Sequence, residues 1–337
     1  MREPRTSAGP RVLVYHDMEG LAGEGDWKLF LFSHPEEYAR GREMLVADVN
    51  AVVAGLFDGG ASLVDVVDAH GSGNPDPDIP EEKLDRRAHM VFRDEPFDPY
   101  VDIIEPGKYD AVAVVGMHAK TGSRGFAAHT ITLGMDVQMG GRSITETEIV
   151  AYSWGRVGVP VIFASGDDRL REDLRTMPWI EYVTTKKATS ASTVELRPVD
   201  EVHAEMRAAA SRSLRELPRM KPMRLPEPVR AALHAVPPAS LAMLDGVPGI
   251  DYAPDTVRFT APTFRAAYDG ITALVRVARG GYPSLWGETL AGVPAGADIR
   301  QKYSDALFLR WMDAESGRWK AAPPRPRPAG RKYHGDN

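Results

Sequence analysis

Cysteine is absent from this 337-residue chain, which excludes disulfides, thiolate nucleophiles, iron–sulfur clusters and cysteine-ligated zinc together. Any metal must therefore be bound by His, Asp or Glu side chains. Long apolar runs are absent too: the longest, residues 111–117, is far shorter than the ~20 residues that a membrane span needs. The amino-terminal residues lack the apolar core of a secretory signal, and the net charge of −6 offers no general attraction to nucleic acid. We therefore expect a cytoplasmic protein that has neither membrane nor nucleic-acid partners.

The composition that remains is that of a globular protein, with 43% hydrophobic and 26% charged residues, and the length corresponds to about two domains. In the first half, short apolar runs alternate with amphipathic stretches, a pattern typical of a mostly parallel sheet with flanking helices. The predicted fold class is α/β, with a domain of this kind over residues 11–200 and a smaller α+β domain over residues 201–318. Residues 319–337, rich in proline and arginine, are predicted to form a disordered tail.

Hydrophobic periodicity and turn signals divide the chain further. Strands are predicted at 11–16, 62–67, 88–92, 110–115, 159–164, 240–244 and 256–260, a hairpin across 130–145, and helices at 35–57, 146–157, 199–217 and 262–279. The proline-rich segment 71–82 is too long for a tight turn, so it is either a functional loop or a surface excursion without a role. More prolines at 218–238 indicate a link into the last unit.

Acidic and imidazole side chains follow three of the predicted strands, at the point where each strand ends. Asp17 and Glu19 follow the first strand, and they share one side of it because alternate residues of an extended chain point the same way. His70 follows the second strand and His118 follows a later, strongly apolar one. The carboxyl ends of parallel strands form the ligand crevice of an open α/β sheet. These side chains suit a divalent cation, and with one further acid they suffice for two cations bridged by a carboxylate.

Each of these side chains also has a structural explanation when it is taken alone. Asp17 could cap a helix, His70 could be an ordinary loop residue, and His118 could be a hydrogen-bonded polar group. Their coincidence at three strand ends favours metal binding. His16 alternates to the opposite face, in the core or behind the site. Asp68 precedes His70 by two residues and is expected to orient a metal-bound imidazole.

Several short motifs follow one another in a fixed order along the chain. They include Asp17-Met18-Glu19-Gly20, Asp68-Ala69-His70, Gly116-Met117-His118-Ala119, His129-Thr130 and Glu146 ahead of Ala151-Tyr152. Together they resemble the motifs of the M55 family of D-aminopeptidases, the DppA-like peptidases. The resemblance extends over about residues 11–280.

The resemblance implies a zinc-dependent aminopeptidase or amidohydrolase that cleaves N-terminal D-amino acids from short peptides or amides through a metal-bridging hydroxide. It implies two zinc ions per chain, with Asp17 as the bridge, held by the residues that match the family's ligands: Asp17, Glu19, His70, His118 and Glu146. His129 matches a histidine that the family needs for catalysis, although without the resemblance it could also be a hydrogen-bonded histidine at a strand end. The resemblance further implies pentameric rings stacked into a decamer, and we expect the second domain to mediate that oligomerisation.

The helix that carries Glu146 departs from the family's pattern. The family usually has Gly-Glu-x-Gly with an asparagine before the alanine, whereas this chain reads Thr145-Glu146-Thr147-Glu148 and reaches Ala151 without the asparagine. Glu148 lies roughly 200° around the helix from Glu146, so it should face away from the metals. These changes lie close to the expected substrate position. They leave open a specialised amide hydrolase of a biosynthetic pathway.

Two further classes of function are compatible with the same residues. A two-metal phosphoesterase also uses Asp and His at strand ends, and Lys120 and Arg124, which follow His118, could bind its phosphate. A non-enzymatic metal-binding or assembly protein would keep the oligomer and lose the reacting histidine. Because His129 is present together with the five expected ligands, we place the peptidase first.

Overall fold

Two β-sheets flanked by helices make up the described part of the chain, which is residues 9–72, 74, 76–92, 98–316 and 318 of a computed structural model. The predicted tail, residues 319–337, lies outside the described residues. In chain order the strands are β1 (Arg11–His16), β2 (Leu63–Asp68), β3 (His89–Val91), β4 (Ala111–Met117), β5 (Met135–Met139), β6 (Arg142–Ser143), β7 (Val161–Asp167), β8 (Glu181–Ser190), β9 (Thr193–Leu196), β10 (Val229–Ala235), β11 (Asp251–Ala253) and β12 (Thr256–Ala261). The helices are α1 (Pro35–Asp58), α2 (Glu146–Gly155), α3 (Asp168–Asp173), α4 (Val199–Arg215), α5 (Phe264–Ala278), α6 (Tyr282–Ala291) and α7 (Gly296–Glu315).

The larger sheet has seven strands in the order β3-β2-β1-β4-β7-β8-β9. All neighbours in it run parallel except β8 and β9. The chain passes from β1 to β2 and β3 on one side, and then to β4, β7 and β8 on the other, so the strand order switches between β1 and β4. Loops that leave the carboxyl ends of those two strands diverge and open a crevice. The predicted α/β class with a mostly parallel sheet is confirmed.

Both faces of the larger sheet are buried, and β1 shows how its sequence achieves this. Val12 and Val14 face a core formed with α1 and α4, which pack against each other. Leu13 and Tyr15 face a second core formed with α2, where the Trp154 Nε1–H donates to the Tyr15 hydroxyl at 2.9 Å. An uninterrupted apolar run is what a parallel strand covered on both faces requires.

The smaller sheet has five antiparallel strands in the order β11-β12-β10-β5-β6. The predicted hairpin is present as β5 and β6, and it turns at Gly140 and Gly141, whose φ angles of 64° and 87° are those of a tight two-residue turn. The strands β5 and β6 precede residue 200, whereas β10, β11 and β12 follow it. The smaller sheet therefore draws on both sides of the predicted boundary, whereas the larger sheet lies entirely before it. The division into domains stays a prediction.

Some elements differ from the expectation. The predicted strand at 240–244 is wrong: the chain forms a short 3₁₀ helix at Ala242–Leu244. The Asp255 Oδ1 accepts hydrogen bonds there from the Ser240 hydroxyl at 3.0 Å and the Leu241 N–H at 3.1 Å, which bends the backbone. The elements β8, β9, β10, β11, α6 and α7 were not predicted. The interpretation of residues 218–238 as a mere link is wrong in its second half, because β10 lies there and forms the central strand of the smaller sheet. Among the described residues, no helix combines the length and the apolar content that crossing a membrane requires.

Candidate metal centre

The switch point between β1 and β4 brings the first acid and a histidine together. Beyond β1 the Asp17 N–H still donates to the Val115 carbonyl at 2.9 Å, so the chain continues beside β4. This close approach requires glycine at Gly116, where a Cβ would lie 2.3 Å from the Asp17 carbonyl oxygen and φ is +72°. The His118 Nε2 then lies 3.3 Å from the Asp17 Oδ2 and 3.5 Å from the Glu146 Oε1.

A second histidine approaches the same centre from the end of β2. The His70 Nε2 lies 3.7 Å from the Glu19 Oε1. On the other side of the ring, the His70 Nδ1 donates to the Asp78 Oδ2 at 2.8 Å, and the Tyr38 hydroxyl also donates to the Asp78 carboxylate. Asp78 belongs to the proline-rich segment that follows β2, so part of that segment is placed against a site residue.

Glu146 reaches the centre from the first residue of α2. Thr145 caps this helix with a reciprocal pair of bonds: its hydroxyl accepts from the Glu148 N–H at 3.1 Å, and its own N–H donates to the Glu148 Oε2 at 3.0 Å. Glu148 therefore turns back onto the helix end, as the angular spacing predicts. Glu146 instead accepts hydrogen bonds from the Ile131 N–H at 2.7 Å and from the Tyr100 hydroxyl. These contacts fix the orientation of its carboxylate.

His129 lies at the edge of the cluster. Its Nε2 is 3.9 Å from the Glu19 Oε1 and 4.0 Å from the Glu146 Oε1, and its side chain is 14% exposed. Its ring stacks on that of His118 with the centroids 3.9 Å apart. The Nδ1–H donates to the Ala127 carbonyl at 2.7 Å. Burial and the neighbouring His118 lower the pKa of His129, so the ring is neutral at pH 7.

The cluster has the donor set of a divalent-cation site. Three overlapping groups each place their ligand atoms within 4.8 Å of one another, namely Asp17 with Glu19 and His70, Asp17 with His118 and Glu146, and Glu19 with His118 and His129. The Nε2 of His118 is buried and has no hydrogen-bond partner among the described residues. Its Nδ1 can only donate to the Ala119 carbonyl at 3.0 Å, so in the neutral ring, the form that binds a metal, the lone pair on Nε2 points into the cluster. Carboxylate oxygens and imidazole nitrogens are ligands that zinc accepts.

The electrostatics of the protein without a cation show how strongly these groups depend on one another. Burial, with the adjacent Glu19 carboxylate, raises the pKa of Asp17 well above its usual range. The facing imidazoles hold the pKa values of Glu19 and Glu146 below their usual range in spite of burial. The carboxylates raise the pKa of His70 to about 10 and that of His118 well above its usual value, again against burial. Protons on the imidazoles thus compensate charge that a metal ion would otherwise neutralise.

Of two neighbouring groups, Asp68 differs from the expectation and His16 agrees with it. Asp68 accepts the His70 backbone N–H at 2.9 Å and does not bond the ring, whose partner is Asp78. His16 is buried behind the strand ends with its Nδ1 3.9 Å from the Asp68 Oδ1. The sequence pattern revealed neither Asp78 nor Tyr100, whose hydroxyl bonds Glu146, because both lie in irregular segments without periodicity.

A buried ion pair supports the segment that carries Glu19. The Lys186 ammonium, on β8, donates to the Glu19 carbonyl at 2.7 Å, to the Glu24 carbonyl at 3.0 Å and to the Glu24 carboxylate. Both side chains of the pair are completely buried, and the ammonium lies 4.6 Å from the centre of the Phe126 ring. The neighbouring Thr185 hydroxyl donates to the Gly20 carbonyl at 2.7 Å. Strand β8 thereby fixes the backbone at the metal-facing Glu19 and in the residues that follow it.

Comparison with known proteins gives concordant results. A family model described as peptidase M55, D-aminopeptidase, matches residues 11–273. The D-aminopeptidase of Bacillus subtilis (strain 168) is 24% identical over 267 residues, which cover 78% of this chain and 95% of that protein. Among solved structures, the Zn-dependent D-aminopeptidase DppA from Bacillus subtilis, described as a self-compartmentalizing protease, has a TM-score of 0.71 at 22% identity and is covered to 97%, against 80% of this chain. The likeness to this structure shows a shared fold.

Proposed function

This chain belongs to the M55 family of D-aminopeptidases, and on that premise we propose that it is a zinc-dependent hydrolase that removes N-terminal D-amino acids from short peptides or amides. The observation that carries the proposal is the convergence of residues from three strand ends and one helix start. The residues that would hold two zinc ions are Asp17, Glu19, His70, His118 and Glu146. Two of the ligand groups together contain all five of these residues, and Asp17 is the one residue that the two groups share. Asp17 is therefore the proposed bridge. Because a solved relative is described as a self-compartmentalizing protease, we also propose that this chain forms an oligomer. The proposed oligomer consists of stacked pentameric rings and is located in the cytoplasm.

Zinc, when bound, supplies the Lewis acidity that polarises an amide carbonyl and lowers the pKa of a water molecule. The chain contributes the orientation of the ligands and a proton carrier. Because the Ala127 carbonyl can only accept, the neutral His129 ring carries its hydrogen on Nδ1 and presents Nε2 to the centre. Its lowered pKa keeps that nitrogen free to take a proton. His129 can then pass the proton to the departing amine as a general acid.

The phosphoesterase alternative loses one of its supports in the structure. The Lys120 ammonium bonds the Asp173 carboxylate and the Ser123 hydroxyl, the latter at 3.1 Å. Its charge is therefore already compensated, and it does not join the metal-facing side chains. The specialised amide hydrolase keeps one specific observation in its favour, since Glu148 gives α2 a first turn that differs from the family's glycine pattern. The D-aminopeptidase and the specialised amide hydrolase would share the metal site and differ in the substrate.

Zinc analysis combined with a substrate panel tests this function. We expect about two zinc ions per chain and release of the N-terminal residue from D-aminoacyl amides and dipeptides. Glu146→Ala and His118→Ala should lose zinc and reduce the rate by roughly 100-fold or more, because missing ligands remove several kcal/mol of charge stabilisation. The matched control is His89→Ala, an exposed histidine, which should keep both. A zinc-replete protein that is inert toward D- and L-aminoacyl substrates, or that hydrolyses a phosphate diester instead, would contradict the proposal.

A further inference from the structure

Helices α6 and α7 form an arm that extends beyond the part of the chain matched by the family model, which ends at residue 273. In α7 every residue from 297 to 311 is exposed. Large apolar side chains on the two helices are 40–68% exposed, although such side chains normally pack in a core: Leu285, Trp286, Ile299, Tyr303, Leu307, Phe308, Leu309 and Trp311. The arm thus presents apolar surface that the described part of the chain does not cover.

The apolar residues of α7 are ordered along the helix. Ile299, Tyr303, Leu307 and Trp311 recur every four residues, and at 100° per residue they form one stripe roughly 120° wide. A stripe of this width is what a helix presents to a packing partner. Phe308 lies outside the stripe, so the carboxyl-terminal half of the helix has apolar surface on more than one side.

The extent of the exposed surface indicates an interface. With about 200 Å² for each aromatic side chain, Trp286, Tyr303, Phe308 and Trp311 alone expose roughly 500 Å². This summed area, which lies on more than one side of the arm, falls within the roughly 300–600 Å² of the largest single patch on a typical monomer. The exposed aliphatic side chains bring the total toward the roughly 800 Å² that each partner buries in a stable complex.

The charges on α7 narrow the identity of the partner. The helix carries Asp298, Arg300, Lys302, Asp305, Arg310, Asp313 and Glu315, an almost balanced set, and the Lys302 ammonium pairs with the Asp298 carboxylate at 2.8 Å. A helix that binds an anionic membrane surface or nucleic acid carries a basic excess instead. The chain's own tail, residues 319–337, offers only two large apolar side chains, Trp319 and Tyr333, against the eight that are exposed on the arm. A second α7 offers a matching stripe and a matching set of mixed charges.

We propose that the α6–α7 arm is an interaction surface for a second copy of this chain, and that the α7 stripes of two copies pack against each other. Such a contact is isologous, since the same patch serves both partners. The base of the arm is anchored, because the Tyr282 hydroxyl donates to the Leu133 carbonyl at 2.7 Å. Leu133 lies two residues after Ile131, whose N–H holds the Glu146 carboxylate. The arm that forms the contact between copies is therefore attached next to the loop around Ile131, which flanks the metal centre.

The absence of cysteine from the chain allows a direct test in the full-length protein. Leu307→Cys and Tyr303→Cys place a single thiol on the stripe, and Gln301→Cys places one on the opposite side of the same helix. Under mild oxidation we expect disulfide-linked pairs of chains for at least one stripe variant and none for the control. No cross-linking at either stripe position, or equal cross-linking at position 301, would overturn the proposal.

A change in assembly provides the second measurement. Leu307→Lys adds one charge to the stripe, and Gln301→Lys adds the same charge to the other side. Both residues are exposed in the chain, so neither substitution should unfold it, and circular dichroism checks this. By sedimentation equilibrium we expect Leu307→Lys to need about 10-fold more protein for assembly, which is the cost of about 1.4 kcal/mol, while the control behaves as wild type. Unchanged assembly of a folded Leu307→Lys variant would refute the contact. The rate of hydrolysis is measured on the same samples and tests the proposed function separately, because neither substitution touches the metal centre.

Discussion

Substituting Asp78 by alanine is expected to weaken zinc binding about 10- to 100-fold, or about 1.4–2.7 kcal/mol. The reason is the hydrogen bond from the His70 Nδ1 to the Asp78 Oδ2, which is 2.8 Å long and fully buried. This bond sets the orientation of the ring, whose Nε2 lies 3.7 Å from the Glu19 Oε1. It also places negative charge behind the imidazole and so increases the basicity of the nitrogen that faces the metal.

Two further variants at the same carboxylate separate its effects. Asp78→Asn keeps an acceptor for the His70 N–H and loses only the charge, so its zinc affinity should fall less than that of Asp78→Ala. Tyr38→Phe removes another hydroxyl that donates to Asp78 and leaves the bond to His70 in place, so it should bind zinc nearly as wild type does. Asp78→Ala also removes the carboxylate that accepts from both the Tyr38 and the Ser72 hydroxyls, which is expected to cost about 1–3 kcal/mol of folding stability.

Competition with a chromogenic zinc chelator measures the affinity, and circular dichroism confirms that each variant is folded. The expected order of affinity is wild type and Tyr38→Phe, then Asp78→Asn, then Asp78→Ala. A folded Asp78→Ala variant with wild-type affinity would show that the orientation of His70 does not matter for the metal. An equal loss in Tyr38→Phe would assign the effect to the segment as a whole rather than to the hydrogen bond of His70.

Two other predictions follow from buried charge. Lys186→Met should destabilise the protein by about 3–5 kcal/mol in urea unfolding, because it strands the Glu24 carboxylate in a fully buried position; a loss below about 1 kcal/mol would contradict this. Zinc binding at pH 7 should release protons, because the pKa of His70 is raised to about 10 in the cation-free protein and a ligating imidazole must be neutral. The same raised pKa stabilises the cation-free fold below about pH 6.5 and loses that effect as the pH rises toward 10. Calorimetry in buffers of different ionisation enthalpy measures the released protons, and a titration without proton release would count against zinc binding at His70.

The positions of Asp17, Glu19, His70 and His118 follow from rules that act over short stretches of sequence. Apolar runs indicate buried parallel strands, and the residues that follow such strands collect at one edge of the sheet. Glu146 is different, since it starts a helix that follows a hairpin of the smaller sheet, and only the family's motif placed it with the others. No periodic pattern connects it to the strand ends.

The contacts that lie behind the ligands could not be predicted in this way. Asp78 and Tyr100 come from irregular segments, and the path of such a segment depends on hydrogen bonds that single residues make. Lys186 lies on β8, a strand whose sequence is largely polar, so neither the strand nor its buried ammonium has a hydrophobic signal. The arm was not predicted for a related reason, because α7 places its apolar residues among charges and packs on no core of the described part of the chain.

The two glutamates at the start of α2 show how one helix end can change its sequence without losing a metal ligand. Glu148 occupies the third helical position, where it bonds the Thr145 N–H and pairs with the Arg142 guanidinium and the Thr176 hydroxyl. Its charge is thus compensated on the side of the helix away from the cluster, while Glu146 alone faces His118. The departure from the family's glycine pattern therefore leaves the ligand set intact and adds a cap that fixes the first turn. A difference in substrate preference from its relatives should therefore originate in side chains that contact the metal-facing carboxylates. Tyr100, whose hydroxyl donates to Glu146, is the first of these side chains to substitute.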